Sequence, residues 1–67
     1  FLNLNSSGDE VKQLQNKLKE LGYFPDTIDS TGYFGKITQD AVKKFQEANG
    51  VDPLGFVGPK TRGVLNK

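Results

Sequence analysis

Ser30–Gln46 reads STGYFGKITQDAVKKFQ. It opens as a turn, Gly32-Tyr33-Phe34-Gly35, and continues as a helix. Thr38, Ala41, Val42 and Phe45 fall at i, i+3, i+4 and i+7, one face of a 3.6-residue period. Lys36, Gln39, Asp40, Lys43, Lys44 and Glu47 take the other face. Gly50 is the residue type favoured just past a helix C-terminus. The expected helix covers about residues 36–49, with Val51 tucked under its end.

The pattern returns 23 residues later as Gly55-Phe56-Val57-Gly58-Pro59-Lys60-Thr61-Arg62-Gly63-Val64-Leu65. Both copies run Gly, aromatic, apolar, Gly, two variable residues, Thr, two variable residues, two apolar residues. Pro59 suits the first helical position, where its missing N–H costs nothing. A second echo sets Val11-Lys12-Gln13-Leu14-Gln15 against Val42-Lys43-Lys44-Phe45-Gln46. Self-similarity of this kind predicts stacked turn-helix units that bury their apolar faces against each other.

Upstream, Ser7-Gly8-Asp9-Glu10 reads as a capping box, in which Ser7 and Glu10 satisfy each other's backbone N–H. A helix is expected from about Asp9 to Leu21, with Val11, Leu14, Leu18 and Leu21 as its apolar stripe and Gly22 as its stop. Tyr23-Phe24-Pro25 leads into a polar loop over residues 26–31, with Ile28 as a plug into the core. FLNLNS, residues 1–6, is an extended lead-in that Phe1, Leu2 and Leu4 can pin to the domain. Asp52-Pro53-Leu54-Gly55 is a turn, and a short third helix ends near Leu65. The two glycine turns are placed to pair as a small two-stranded ribbon. The expectation is an all-α, compact three-helix bundle with two glycine-aromatic turns. Residues 1–7 form its lead-in and 8–67 the domain.

Gly8…Val11, Leu14-Gln15, Leu18, Leu21-Gly22-Tyr23, Gly32-Tyr33-Phe34-Gly35, Thr38, Ala41-Val42, Phe45-Gln46, Gly50-Val51, Gly55-Phe56-Val57-Gly58, Thr61 and Leu65 together resemble the small peptidoglycan-binding domain family. The resemblance covers residues 8–66 in order and spacing. It implies a three-helix module attached to bacterial cell-wall hydrolases and other secreted bacterial proteins. The family pattern has Asp immediately before the Gly of each turn. Thr31 and Leu54 stand there instead, and Asp29 is the candidate substitute at the first turn, displaced by Ser30-Thr31.

Composition narrows the chemistry. The chain has 67 residues, enough for one domain, and neither Cys nor His. That removes disulfides, thiolate chemistry, the commonest general base and the commonest metal ligand. No cofactor and no metal site are expected, and the acidic loop around Asp26 and Asp29 lacks the spacing of an EF-hand. Nine basic and eight acidic residues are interspersed, which gives nucleic acid or an anionic membrane little to bind. Helices 2 and 3 do not make a DNA-binding pair either, because their intervening turn is long. No apolar run approaches a membrane span. Phe1 is not an initiator, so the chain reads as an excised or processed piece, expected to act as a monomer beside a covalently attached domain.

The candidate binding residues are Tyr33, Phe56, Tyr23 and Gln46. In each glycine turn one apolar residue, Phe34 or Val57, should point inward, and the preceding aromatic, Tyr33 or Phe56, should point outward. Two outward rings would form a shallow platform suited to sugar faces, with the Tyr hydroxyl at its wet end. Their plainer role is to cover the core edge. One ring of Tyr23-Phe24 should be core and the other exposed. Gln15 and Gln46 follow core residues in equivalent settings. Their amides can bond loop backbone and hold the turns, or, for Gln46, reach a ligand's acetamido or peptide groups. Thr38 and Thr61 should bond locally at their helix starts.

Catalysis is not expected: the eight carboxylates lie on predicted solvent faces and loops, with no cleft to raise the pKa of one. The leading expectation is a non-catalytic module that binds peptidoglycan in a shallow groove between the turns and helix 2. It would act outside the cytoplasm and anchor an attached protein. The alternative is a protein-docking or pro-region module without wall affinity. The pro-region version is the weaker, because related pro-segments use a cysteine to occupy zinc and this chain has none.

Overall fold

The computed structural model describes residues 2–25, 27 and 29–65. Three helices follow in order: α1 (Asp9–Glu20), α2 (Lys36–Ala48) and α3 (Pro59–Leu65). The all-α reading therefore holds. Ile28, expected to plug the core, and Phe1 lie outside the described residues.

Each helix buries the face its periodicity marks. Val11, Leu14 and Leu18 of α1, Ala41, Val42 and Phe45 of α2, and Leu65 of α3 meet Phe24, Phe34 and Val57 from the loops in one core. Burying each large side chain stabilises the fold by roughly 1.5–3 kcal/mol. Tyr23 closes one edge, its ring edge-on to Phe45 at 5.6 Å between centroids. Val51 is buried beneath the end of α2, and its N–H donates to the Gln46 carbonyl at 2.9 Å.

Two expectations about α1 are corrected. There is no capping box: Gly8 is the N-cap, and no side chain bonds the helix start. Ser7 instead forms an antiparallel bridge with Tyr33, and Glu10 turns toward Arg62, 3.8 Å away. Asp9 and Glu10 still favour the positive end of the helix dipole, and Lys17 and Lys19 the negative end. At the other end Leu21 is not part of the stripe. It is the C-cap and is exposed. The chain leaves the helix there, with the Tyr23 and Phe24 N–H groups both donating to the Leu18 carbonyl. That path inserts Phe24, not Leu21, into the core.

The expected ribbon between the two glycine turns does not form. Each turn pairs with the lead-in instead: Leu2 bridges Val57 and Ser7 bridges Tyr33, both antiparallel. Leu2 and Val57 exchange N–H···O bonds of 3.1 and 2.6 Å. Farther along, Asn5 N–H donates to the Phe34 carbonyl and Phe34 N–H to the Ser6 carbonyl, each at 2.8 Å. Asn5 reaches this position with φ 78, a left-handed conformation that Asn tolerates better than most residues. Leu2 packs on the core, whereas Leu4 is exposed.

Candidate functional site

The turns are held by two buried glutamines. The Gln15 amide Nε2 donates to the Tyr33 carbonyl and to Thr38 Oγ1, each at 2.9 Å. Its Oε1 accepts the Gly32 N–H at 2.9 Å. Gln46 does the same one unit later. It donates to the Phe56 carbonyl at 2.9 Å and Thr61 Oγ1 at 3.0 Å, and accepts the Gly55 N–H at 3.0 Å. Both side chains are about 1% exposed, so the bonds form where water cannot replace them. The sequence indicates the glutamines' role correctly. It misplaces the threonines: Thr38 and Thr61 do not bond at their own helix starts but receive the amide of the preceding helix. Gln46, proposed as a ligand contact, has its amide engaged within the fold on both its oxygen and nitrogen.

Glycine is required at the clamped turn. Gly32 has φ +82, and a Cβ there would stand 3.2 Å from the Gly8 carbonyl oxygen. At the same turn the Tyr33 N–H donates to Thr31 Oγ1 at 3.2 Å, a Ser/Thr turn. Thr31, which stands where the family pattern has an acid, thus supplies the acceptor expected of Asp29. Ser30 Oγ adds a bond to Asn16 Oδ1.

Alternation within the turns works as expected for the inward residues: Phe34 and Val57 are buried. The outward pair is unequal. Tyr33 is 50% exposed, and its hydroxyl donates to Asn5 Oδ1 at 2.6 Å, which fixes the ring against the lead-in. Phe56 is only half-buried rather than open. Of the Tyr23-Phe24 pair, Phe24 is core and Tyr23 half-buried.

Two surface grooves flank this frame. One, about 380 Å³, lies between α2 and the chain after α1, lined by Tyr23, Phe24, Pro25, Ile37, Asp40 and Lys44 among others. Ile37 is exposed and lies in the first turn of α2. The second, about 590 Å³, lies between α1 and α3; Leu2, Leu14, Val57 and Leu65 form its floor, and Glu10, Gln13, Lys17 and Arg62 its rim. Of the candidate residues only Tyr23 lines either groove. Sequence reasoning missed the rim, although Glu10, Gln13 and Lys17 lie at i, i+3 and i+7 on one side of α1. Among the described residues no group of three or more Asp, Glu, His or Cys side chains could hold a metal. No described helix is long and apolar enough to cross a membrane.

Comparison with known proteins gives concordant matches. The family model described as peptidoglycan binding domain matches residues 7–65. A protein of Kitasatospora aureofaciens, known as the uncharacterized protein in the bpoA1 3' region, is 48% identical over 67 residues, which are 98% of this chain and 55% of that protein. A probable N-acetylmuramoyl-L-alanine amidase of Bacillus licheniformis is 43% identical over 64 residues, 87% of this chain and 18% of the amidase. The chain thus spans about half of the first relative and less than a fifth of the second. The crystal structure of the SleB N-terminal domain superposes with a TM-score of 0.92 at 34% identity. The match covers 97% of this chain and 86% of that one.

Proposed function

This chain belongs to the peptidoglycan-binding domain family, and from that membership we propose that it is a non-catalytic module holding an attached protein to the bacterial wall. The observation that carries the reading is the extent of the match. Residues 7–65 take in all three helices, both clamped turns and, Leu2 apart, the described residues that line both grooves. The relatives that carry such a segment within longer proteins, one a probable wall amidase, support a role beside a separate catalytic unit. The same reading puts its work outside the cytoplasm.

The glycan contacts of this proposal are Tyr33 and Tyr23, with Ile37 in the groove that Tyr23 lines and Phe56 as a lesser contributor. What supports the choice is an exposed ring held by a hydrogen-bonded turn, since a fixed ring loses little entropy when a sugar packs on it. Gln46, with Gln15, then acts by positioning. The matching clamps favour reading the chain as a repeated helix-turn unit. Binding between millimolar and micromolar, roughly 4–8 kcal/mol, is sufficient for a tethered module, because the tether raises the effective wall concentration.

Co-sedimentation with purified insoluble peptidoglycan, with chitin as control, tests the reading. Retention on the wall but not on chitin is the expected result. Retention on neither would overturn it and favour a protein-docking domain.

A further inference from the structure

We propose that the groove between α1 and α3 is a peptide subsite. Its occupant is the end of a wall stem peptide, a short peptide with small aliphatic side chains and a free carboxylate. The inference rests on the wall-binding reading and deepens it by assigning one component of the polymer to one surface.

The floor excludes the glycan on chemical grounds. Leu2, Leu14, Val57 and Leu65 are all aliphatic, and among the described residues no aromatic ring lines this groove. Sugar faces pack best on rings, and the ring-bearing groove is the other one, beside Tyr23 and Phe24. An aliphatic floor instead suits methyl-sized side chains, which gain from apolar burial without needing a π face. The volume of about 590 Å³ falls within the roughly 300–1,000 Å³ usual for ligand sites.

The rim selects the charge. Among the described residues Lys17 and Arg62 face Glu10 alone, which gives this rim a net positive charge. Arg62 Nη2 lies 3.8 Å from Glu10 Oε2, with both side chains exposed. That distance is too long for a direct hydrogen bond. The guanidinium therefore retains donors for a carboxylate, which it can grip with two parallel N–H bonds. Lys17 has no ion-pair partner among the described residues and adds a second cation on the α1 side. Gln13 offers an amide that both donates and accepts, as a peptide group requires.

The test is a titration of the 15N-labelled chain with three probes, read by amide chemical shifts. They are a synthetic stem tetrapeptide with a free C-terminal acid, the same peptide as its C-terminal amide, and glycan strands stripped of peptide. The acid peptide is expected to shift the amides of Gln13, Lys17, Arg62 and Leu65. The amide form should bind at least tenfold more weakly. The K17Q/R62Q double variant, its helix content checked by circular dichroism, should lose the acid peptide tenfold while binding stripped glycan unchanged. Equal binding of acid and amide peptides, or shifts confined to the Tyr23 groove, would overturn the assignment. So would shifts at these residues that depend on protein concentration without peptide, which would mark a second copy as the occupant. If the chain sediments with intact wall and stripped glycan but ignores the peptide, this subsite falls and the wall-binding reading stands. Failure to sediment with intact wall sinks both.

Discussion

Gln46 makes three hydrogen bonds from one buried amide. Replacing it with Leu keeps the volume but removes the bond to the Phe56 carbonyl and strands the Gly55 N–H and the Thr61 hydroxyl. Each stranded buried group costs about 1–3 kcal/mol, and partial relaxation brings the total to roughly 2–4 kcal/mol. The urea midpoint of Gln46→Leu should fall accordingly, and Gln15→Leu should match it, because its partners are equivalent. A difference above about 1.5 kcal/mol between the two would show that the turns are not held alike, since an ordinary hydrogen bond is worth less than that. Tyr33 makes a different prediction. Tyr33→Ala removes an exposed ring and one bond to Asn5, so the fold should survive while wall retention drops about fivefold or more, as for an aromatic contact worth over 1 kcal/mol. Unaltered sedimentation would remove Tyr33 from the contact surface. At this scale the sequence is informative where the cause is local. Phe34 and Val57 point inward because adjacent residues of an extended turn face opposite ways. The partner of Thr38 was hidden because its donor, Gln15, lies 23 positions away.

The helices were legible because period and punctuation agree. An apolar stripe gives each its buried face, and Gly or Pro stands at every helix end but the last. The lead-in was not legible in the same way. FLNLNS has no helical period and no partner within reach along the chain, and its pairing with two distant turns is a tertiary fact. For the same reason Ser7 looked free to cap α1 when its backbone was already committed to Tyr33. Deleting residues 1–6 takes away the two Leu2–Val57 bonds and the two that join Asn5 and Ser6 to Phe34. At about 0.5–1.5 kcal/mol each, with the packing of Leu2 added, the loss is roughly 3–8 kcal/mol. A domain of this size has only about 3–5 kcal/mol to lose. The truncated chain should therefore show no cooperative thermal transition at 25 °C or above. An unchanged melting temperature would mean the lead-in is decoration.

On the scale of the whole molecule, ten core residues from three helices and three loop positions converge on one centre, so the three helices should unfold together. A ligand that binds only the folded form should then raise the melting temperature of the entire chain. At a hundredfold excess over its dissociation constant it would add about 2.7 kcal/mol, a shift easily read by calorimetry with soluble wall fragments. No shift with soluble fragments that do compete the chain off insoluble wall would point to binding by a partly unfolded form. The grooves were the least legible part of the molecule, since each is built from segments far apart in sequence.

The lead-in's two bridges also give the domain a mechanical polarity. Tension applied at the N-terminal side reaches the Leu2–Val57 bridge first and the Ser7–Tyr33 bridge only after the intervening chain has straightened. The first bridge underlies the groove between α1 and α3, where Leu2 and Val57 form part of the floor. The second anchors the turn that presents Tyr33. A load carried through the lead-in would therefore dismantle one surface before the other. In an optical trap, pulling from the N-terminal end of the lead-in should give a small early extension step before global unfolding, and pulling from the side of α3 should not.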